Sequence, residues 1–344
     1  MSHSVLSNSW SDLCVSKDPT MCWVKETPDS LVIHSVKDGN YEQLRELWEL
    51  LETEREKINE SQMSKYGFAY LWREAGLKLR VKHIPLSPDC SVYLCRSYRL
   101  EPRRFSDLGL SKHLESVLLD PSISSGVGII LGKPGAGKTT FASSFLKERS
   151  KVVGGLTWTI ETPVEIDIQG RHGNGYIFQR ELGDISMISD AVRDLVRATP
   201  NVMFVGEVID DETAREVVQA SQAGFLVICT YHGSDIPSGL ERFSRAAGGG
   251  TVSQQFSESF SFAIHLDLIL DTPASRMRRA NDENSIISKM ATGNPPRILS
   301  TRFLFSDYRD SKEAVRGSLR NGEFAKLKSI MEKQKRYLTS SAEV

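Results

Sequence analysis

The sequence lacks the features that would place the chain within a membrane. No run approaches the roughly 18 uninterrupted apolar residues that a transmembrane helix needs. The first residues, MSHSVLSNSWSDLC, contain no positively charged region followed by an apolar core, so no signal peptide is predicted. The sequence therefore indicates a cytoplasmic protein.

The sequence also has almost no net charge and little cysteine. Its 43 Lys and Arg residues balance 44 Asp and Glu residues, so it lacks the strong field that would draw the chain onto nucleic acid or anionic lipid. The five cysteines are odd in number and none belongs to a pair of CxxC clusters. This pattern disfavours a zinc site and a disulfide framework, and predicts reduced thiols.

The first third of the chain is predicted to hold a small domain. Residues 1–28 are polar and predicted to be irregular. Residues 29–100 are predicted to form an α+β domain, because apolar residues recur at helical spacing from Tyr41 to Ile58 and alternate with polar residues from Leu77 to Val81. Residues 101–125, which contain prolines and a short helix, are predicted to be a linker.

From residue 126 onward, β-rich runs and helical stretches alternate. This alternation predicts an α/β domain over residues 126–306, with a parallel sheet covered on both faces. Residues 307–344 are predicted to form a pair of amphipathic helices. The predicted strands are Val127–Leu131, Leu156–Ile160, Val202–Val205, Leu226–Thr230, Ala263–Leu270 and Ile298–Phe305, and the clearest predicted helices are Ile185–Val196 and Glu212–Ala223.

A glycine-rich segment, Gly132–Thr139, fits the pattern G-x-x-x-x-G-K-[ST] without a mismatch, with an apolar strand before it and a helix after it. Its glycines let backbone N–H groups point at one centre, and the helix N-terminus adds a partial positive charge. This pattern predicts that Lys138 bridges the β- and γ-phosphates of ATP and that the Thr139 hydroxyl holds Mg²⁺. The predicted nucleotide contacts in this segment are Gly132, Pro134, Gly135, Ala136, Gly137, Lys138, Thr139 and Thr140.

Polar side chains follow the predicted strands at their carboxyl ends. Glu161 ends one strand, Glu207 follows the next, and His232 lies just past the third. In an open parallel sheet, ligands bind beyond the carboxyl ends of the strands, so these three side chains are candidates for the hydrolytic site. The alternative for His232 is an ordinary surface-loop histidine. Asp210 and Asp211 are more plausible as caps of the following helix.

Four segments after the P-loop resemble, in order, the boxes of the PilT/GspE-like secretion (traffic) ATPase superfamily, which includes the type IV pilus retraction motors. Residues 159–165, TIETPVE, are similar to its acidic box, and residues 179–183, QRELG, to its QREVG segment. Residues 200–213 are similar to its Walker B region, and residues 224–232 to its histidine box.

The resemblance implies a RecA-like P-loop core preceded by a PAS-like domain, in a hexameric ring with ATP between subunits. It implies that Glu161 is the catalytic carboxylate, that Glu207 supports Mg²⁺ and the attacking water, and that His232 senses the γ-phosphate. Arg80 and Arg96 correspond in position to arginines supplied in trans, although both also fit ordinary exposed strand arginines. The implied partners are secretion proteins of the inner membrane, which would recruit the ring to its cytoplasmic face.

Three substitutions depart from the family pattern: Thr162 in the acidic box, Ile209 in the Walker B region and Phe225 in the histidine box. They favour a motor resembling the DotB and TraJ ATPases of type IVB secretion and conjugation. The alternatives are a type IV pilus retraction ATPase and a nucleotide-dependent docking or assembly subunit with little turnover. A DNA-translocating protein is disfavoured, because overall charge is near zero and no basic stripe with interleaved aromatics occurs; direct nucleic-acid binding is not expected.

Overall fold

The computed structural model describes residues 10–25, 33–36, 38–57, 67–72, 77–98, 102–270, 286–288 and 297–339. The chain divides into two compact units. The N-terminal unit consists of residues 1–101 together with residues 162–167 and 181–185, and the larger unit consists of the rest. None of the helices in the described part of the chain has the length and apolar character needed to cross a membrane.

The N-terminal unit is an antiparallel sheet packed against one helix, α1 (Asp38–Lys57). The helix contributes Leu44, Leu47 and Trp48, which are buried against the sheet. The predicted helix is therefore present, although its last predicted residue, Ile58, lies outside the described residues. In chain order the strands are β1 (Asp12–Val15), β2 (Trp23–Lys25), β3 (His34–Ser35), β4 (Phe68–Trp72), β5 (Leu77–Ser87) and β6 (Cys90–Tyr98), arranged β3-β2-β1-β6-β5-β4.

The segment predicted to be irregular, residues 1–28, contains two of these strands in its described part. β1 pairs with β6 and with β2, and it buries Leu13 and Val15 in the core. That prediction was wrong because strands of three or four residues are too short to establish a period-two pattern. β1 is stabilised by pairing with the distant β6, and β2 by pairing with β1 and β3.

The larger unit contains a nine-stranded sheet. In chain order the strands are β7 (Gly126–Gly132), β8 (Gly155–Glu161), β9 (Gly170–His172), β10 (Gly175–Glu181), β11 (Val202–Val205), β12 (Leu226–Tyr231), β13 (Phe260–Leu270), β14 (Ile286–Ser288) and β15 (Arg297–Phe305). They are arranged β14-β15-β13-β7-β12-β11-β8-β10-β9. The central five strands, from β13 to β8, are parallel, whereas β15 and β14 run antiparallel beside β13, and β9 is antiparallel to β10. The predicted parallel sheet is therefore present as these five central strands, within a larger mixed sheet.

Every residue of β7, β11 and β12 is buried, although successive side chains point to opposite faces of the sheet. The central strands are therefore covered on both faces. The predicted helices near residues 185–196 and 212–223 are confirmed, with one turn of 3₁₀ helix leading the first of them. In chain order the helices are α2 (Lys112–Leu118), α3 (Lys138–Val152), α4 (Ile188–Val196), α5 (Asp211–Gln222), α6 (Ile236–Ala246), α7 (Gly250–Ser259), α8 (Lys312–Arg320) and α9 (Leu327–Thr339).

The predicted linker, residues 101–125, is packed into the larger unit from Pro102 onward. Phe105, Leu108 and Leu114 are buried, and the ring of Phe105 contacts Phe145 of α3. The prolines of this segment predicted a linker, but its apolar residues are buried in the larger unit. The predicted pair of C-terminal helices is present as α8 and α9. All five cysteines are free.

Candidate active site

The carboxyl ends of four parallel strands meet at one edge of the larger unit, here called the carboxyl edge (the ends of β7, β8, β11 and β12). Ile160, Val205, Cys229 and Ile129 lie side by side in the strand register. The residues that follow them therefore emerge together, which brings Glu161, Glu207, His232 and the P-loop to the same edge. The sequence prediction that these side chains share one edge is thus met.

The P-loop has the backbone geometry that its glycines allow. Gly137 is the N-cap of α3 and has φ +88°, a conformation that residues with a Cβ rarely adopt. A Cβ on Gly132 would lie 2.7 Å from the carbonyl oxygen of Leu266 on β13. Both positions consequently require glycine, one for its torsion angle and the other for its close approach to a neighbouring strand.

Helix α3 is held in place below the loop by an aromatic cluster. Phe141 and Phe145 are buried on its inner face, and Phe145 contacts Phe262 of β13 edge-on at 6.1 Å between ring centroids. Edge-to-face pairs of this kind add to the stabilisation from burial. The helix N-terminus, and with it the first N–H groups, is therefore fixed at the carboxyl edge.

The ammonium group of Lys138 is buried at the base of the loop. Its Nζ donates to the carbonyl oxygens of Gly132, at 3.1 Å, and Lys133, at 3.2 Å, and lies 3.4 Å from Nδ1 of His232. Thr139 and Thr140 are half-buried in the first turn of α3, whereas Pro134 and Gly135 are exposed and Ala136 is buried. The loop thus combines the buried ammonium group of Lys138 with two half-buried hydroxyls and exposed backbone.

Glu207 and His232 form a direct pair beside this lysine. Nε2 of His232 lies 2.6 Å from Oε1 of Glu207, and Nδ1 of His232 lies 3.3 Å from the carbonyl oxygen of Gly132. The loop carrying Glu207 is tied to β12, because Thr230 donates its hydroxyl to the carbonyl oxygen of Gly206. His232 therefore connects the carboxylate of Glu207 to the P-loop and is not an isolated surface histidine.

Glu161 is the most buried acidic group at the carboxyl edge, with 4% of the residue exposed. Its Oε1 accepts hydrogen bonds from Oγ1 of Thr159, at 2.6 Å, and from Nε2 of Gln179, at 3.0 Å. Gly206 leaves room for it, since a Cβ there would lie 3.3 Å from Cγ of Glu161. The carboxylate is therefore held by two donors in a fixed orientation.

Thr159 and Gln179 were not predicted from the sequence as partners of Glu161. Thr159 is two residues before Glu161, so both side chains lie on one face of β8. Gln179 begins the QREVG-like segment, whose first three residues lie on the unpredicted strand β10. Gly173 and Asn174, between β9 and β10, form the two-residue turn of a hairpin. That turn was a usable signal for the hairpin, but the contact with Glu161 spans 18 residues of sequence and has no local signature.

A buried histidine of β13 lies beside the P-loop. His265 is level with Leu131 in the register, and its Nδ1 lies 3.2 Å from Nη1 of Arg302 on β15. Burial, with a further contribution from the Arg302 guanidinium, lowers the pKa of His265 below its ordinary value. This imidazole is therefore neutral at pH 7 and adds no positive charge next to the loop.

The remaining predicted residues occupy other positions. Asp210 caps α5, accepting from the backbone N–H of Thr213 at 2.7 Å, as the sequence predicts. Arg80 and Arg96 belong to the N-terminal unit, where they lie opposite each other on β5 and β6. Arg96 donates from Nε to Asp12 at 2.8 Å.

The donor set suits Mg²⁺ bound together with nucleotide. No group of three His, Cys, Asp or Glu side chains that could hold a metal ion occurs within the described ranges. Mg²⁺ typically uses one or two protein oxygens together with substrate phosphates and water. The Thr139 hydroxyl and the Glu207 carboxylate, both beside the P-loop, fit that mode of binding.

Comparison with known families identifies similar sequences. The sequence model of the family described as "Type II/IV secretion system protein" matches residues 31–291, more than half of the chain. The chain is 31% identical over 159 residues to the type IV pilus ATPase PilU of Pseudomonas aeruginosa, covering 45% of this chain and 41% of PilU. It is 35% identical over 119 residues to the type IV pilus assembly ATPase TfpB of Acinetobacter baylyi, covering 35% of this chain and 20% of TfpB. The matched regions span less than half of either relative.

Solved structures that share the fold over most of the chain include the following two. The pilus retraction motor PilT, crystallised with bound ADP, superposes with a TM-score of 0.71 at 21% identity, covering 96% of this chain and 90% of that chain. The ATPase DotB of Legionella pneumophila superposes with a TM-score of 0.66 at 18% identity, covering 95% of this chain and 84% of that chain. At these identities the likeness establishes the fold.

Proposed function

Because the chain belongs to the type II/IV secretion system protein family, we propose that it is an ATP-hydrolysing hexameric motor that energises a type IV-related secretion or conjugation apparatus. In this proposal the larger unit is a RecA-like ATPase core and the N-terminal unit is PAS-like. The ring works at the cytoplasmic face of the inner membrane, recruited by membrane proteins of the apparatus.

One observation carries the proposal: Lys138, His232 and Glu207 form a continuous set of contacts at the carboxyl edge, at the same strand level as the buried Glu161. A chain of a cation, an imidazole and a carboxylate beside a P-loop is suited to phosphoryl transfer, where positioning and charge stabilisation dominate. In this assignment Lys138 neutralises phosphate charge, Glu161 orients and polarises the attacking water, and His232 reports the γ-phosphate to Glu207.

Mg²⁺, when bound with ATP, would neutralise charge on the phosphate oxygens. Thr139 and Glu207 would hold it, which gives Glu207 two roles: it supports the metal and it accepts the hydrogen bond of His232.

Release of phosphate from ATP by the purified assembly, in a Mg²⁺-dependent manner, is the direct test of the proposed function. An assembly that binds ATP and never releases phosphate would instead be a nucleotide-dependent docking subunit.

Gln179 is proposed as a positioning residue for Glu161. Replacing it with leucine removes the 3.0 Å hydrogen bond to the carboxylate, and we expect turnover to fall about tenfold or more with little change in the Kd for ATP, since a hydrogen bond to a charged group is lost. Gln254→Leu, at an exposed position on α7, is the matched control. Equal losses of affinity and turnover would contradict the positioning role.

The arginines Arg80 and Arg96 are proposed to reach a neighbouring subunit's nucleotide. They line, with Lys25, Lys82 and Asp12 among others, a basic cavity of about 370 Å³ on the N-terminal unit. Four cations around one carboxylate give this face a net positive charge, which suits contact with phosphate.

Complementation between two inactive variants tests this trans arrangement. We expect the Arg80→Ala, Arg96→Ala double variant and the Lys138→Ala variant each to be inactive alone, and their mixture to regain phosphate release. Mixed rings contain interfaces with an intact lysine on one side and intact arginines on the other. Arg45→Ala, at an exposed arginine of α1, should remain active alone. A mixture that stays inactive, although both variants assemble, would mean that the arginines act in cis or are structural.

The choice of apparatus rests on the departures from the retraction-motor pattern. Ile209 is 49% exposed, and it stands where the family usually has arginine. With Thr162 and Phe225, this substitution leads us to propose a DotB- or TraJ-like role in type IVB secretion or conjugation, with pilus retraction as the alternative. Retraction of pili in a complemented deletion strain would support the alternative.

A further inference from the structure

A second cavity, of about 690 Å³, lies at the opposite edge of the sheet from the P-loop. Gly126 and Phe260, where β7 and β13 begin, and Phe305, where the antiparallel β15 ends, line it. The first turns of α8 contribute Lys312 and Arg316. The cavity is large enough for a small organic ligand or the end of a peptide, and none of its lining residues belongs to the carboxyl edge.

Two buried polar atoms in this cavity lack partners. Ser306 is 97% buried, and its Oγ has no hydrogen-bond partner in the described part of the chain. The Nε of Arg316 is likewise buried and has no partner among residues 10–339 that the structure describes. Buried polar groups in folded proteins are nearly always hydrogen-bonded, so two unsatisfied groups in one cavity point to a ligand that satisfies them.

The walls of the cavity are fixed by hydrogen bonds of their own. Arg149, a buried residue of α3, donates to the carbonyl oxygens of Leu118 and Asp120, at 3.0 and 3.3 Å, and to that of Ile123. On the other side, Gln334 of α9 bonds both the N–H and the carbonyl oxygen of Phe305, at 2.9 and 2.8 Å. The cavity is therefore preformed and does not depend on ligand for its shape.

The charges around the cavity select the class of ligand. Lys312 is paired with Asp307 at 2.6 Å, Asp120 accepts from the N–H of Ser122, and Glu258 accepts from Gln254. Three carboxylates in the lining disfavour a dianion such as phosphate. A single planar carboxylate matches the guanidinium geometry and adds less repulsion.

We propose that this cavity is a binding site for a carboxylate, held by the guanidinium of Arg316 and the hydroxyl of Ser306. The carboxylate belongs either to a small organic acid or to the end of a peptide, and the two sources share this chemistry. Phenylalanine and serine side chains line the rest of the cavity, including Phe260, Phe305 and Ser261, and they suit a ligand with apolar and hydrogen-bonding parts.

Calorimetric titration of the full chain without nucleotide tests the site. The probes are butyrate, an N-acetylated tripeptide with a free C-terminal carboxylate, the C-terminal amide of the same tripeptide, and inorganic phosphate. We expect Arg316→Gln to weaken carboxylate binding by about tenfold or more, because a charge-assisted pair is lost. Arg320→Gln, on the same helix but outside the lining, should bind as the wild type does.

Ser306→Ala separates a binding role from a structural one. Since the hydroxyl has no partner in the described protein, its removal should leave the melting temperature of the free protein unchanged or raised, while carboxylate binding weakens. Binding of the peptide acid but not the amide supports a peptide source, and binding of butyrate supports a small acid. Binding of phosphate alone, no binding of any probe, or binding unaffected by both variants would overturn the proposal.

Discussion

Replacing Lys138 with alanine is expected to lower the turnover of ATP at least about a hundredfold. Loss of one preorganised donor from a site that stabilises a transition state costs about that much. The effect should be large for this lysine because its ammonium group is buried between the loop carbonyls and His232. No other lysine of the described carboxyl edge occupies that position. Phosphate release measured under saturating ATP and Mg²⁺ checks the prediction.

Lys151→Ala provides the matched control for this variant. Lys151 is an exposed lysine on the same helix, α3, 13 residues further along, about 20 Å from Lys138 at the rise of an α-helix. It should retain wild-type turnover. A Lys138→Ala protein that assembles, melts like the wild type and still hydrolyses ATP at the wild-type rate would rule out the proposed site. Wild-type protein with no Lys138-dependent phosphate release would favour the docking subunit.

Replacing Glu161 with glutamine is expected to lower turnover by roughly 10²- to 10⁴-fold, the usual contribution of a positioned acid–base group, with ATP binding retained. Glutamine keeps the size of the side chain and an oxygen that can accept from Thr159 and Gln179, so packing in this buried position should survive. What is lost is the negative charge that polarises water. Turnover and the Kd for ATP, measured on the same preparation, separate the two effects.

Glu241→Gln is the control for the loss of a carboxylate, because Glu241 forms an exposed pair with Arg245 on α6. Glu207→Gln makes an informative comparison. That change weakens the contact with His232 and one of the proposed Mg²⁺ ligands, so we expect it to raise the Mg²⁺ concentration needed for activity as well as lower turnover. A Glu161→Gln enzyme with normal turnover would reassign the catalytic carboxylate, with Glu207 as the next candidate.

Much of the site was predictable because its residues are marked by local patterns. Gly132, Gly137 and Lys138 occur in a fixed spacing, since a loop that wraps phosphate needs glycine at positions with positive φ or close backbone contact. Glu161, Glu207 and His232 each follow a β-rich run, and parallel strands bring their carboxyl ends to one edge whatever their order. The strand register from β7 to β8 then confirmed their shared edge.

The sequence alone determined the P-loop pattern, the acidic and histidine candidates, the N-terminal helix and the alternation of strands and helices in the larger unit. Each of these depends on the order and spacing of nearby residues. Only the tertiary structure decided the contact of Gln179 with Glu161, the antiparallel outer strands, the packing of residues 102–125 and the short strands β1 and β2. The cavity around Arg316 and Ser306 belongs to this second group. These features join residues far apart in the chain, and the free energy that selects them comes from burial and pairing across the fold, which no local pattern encodes.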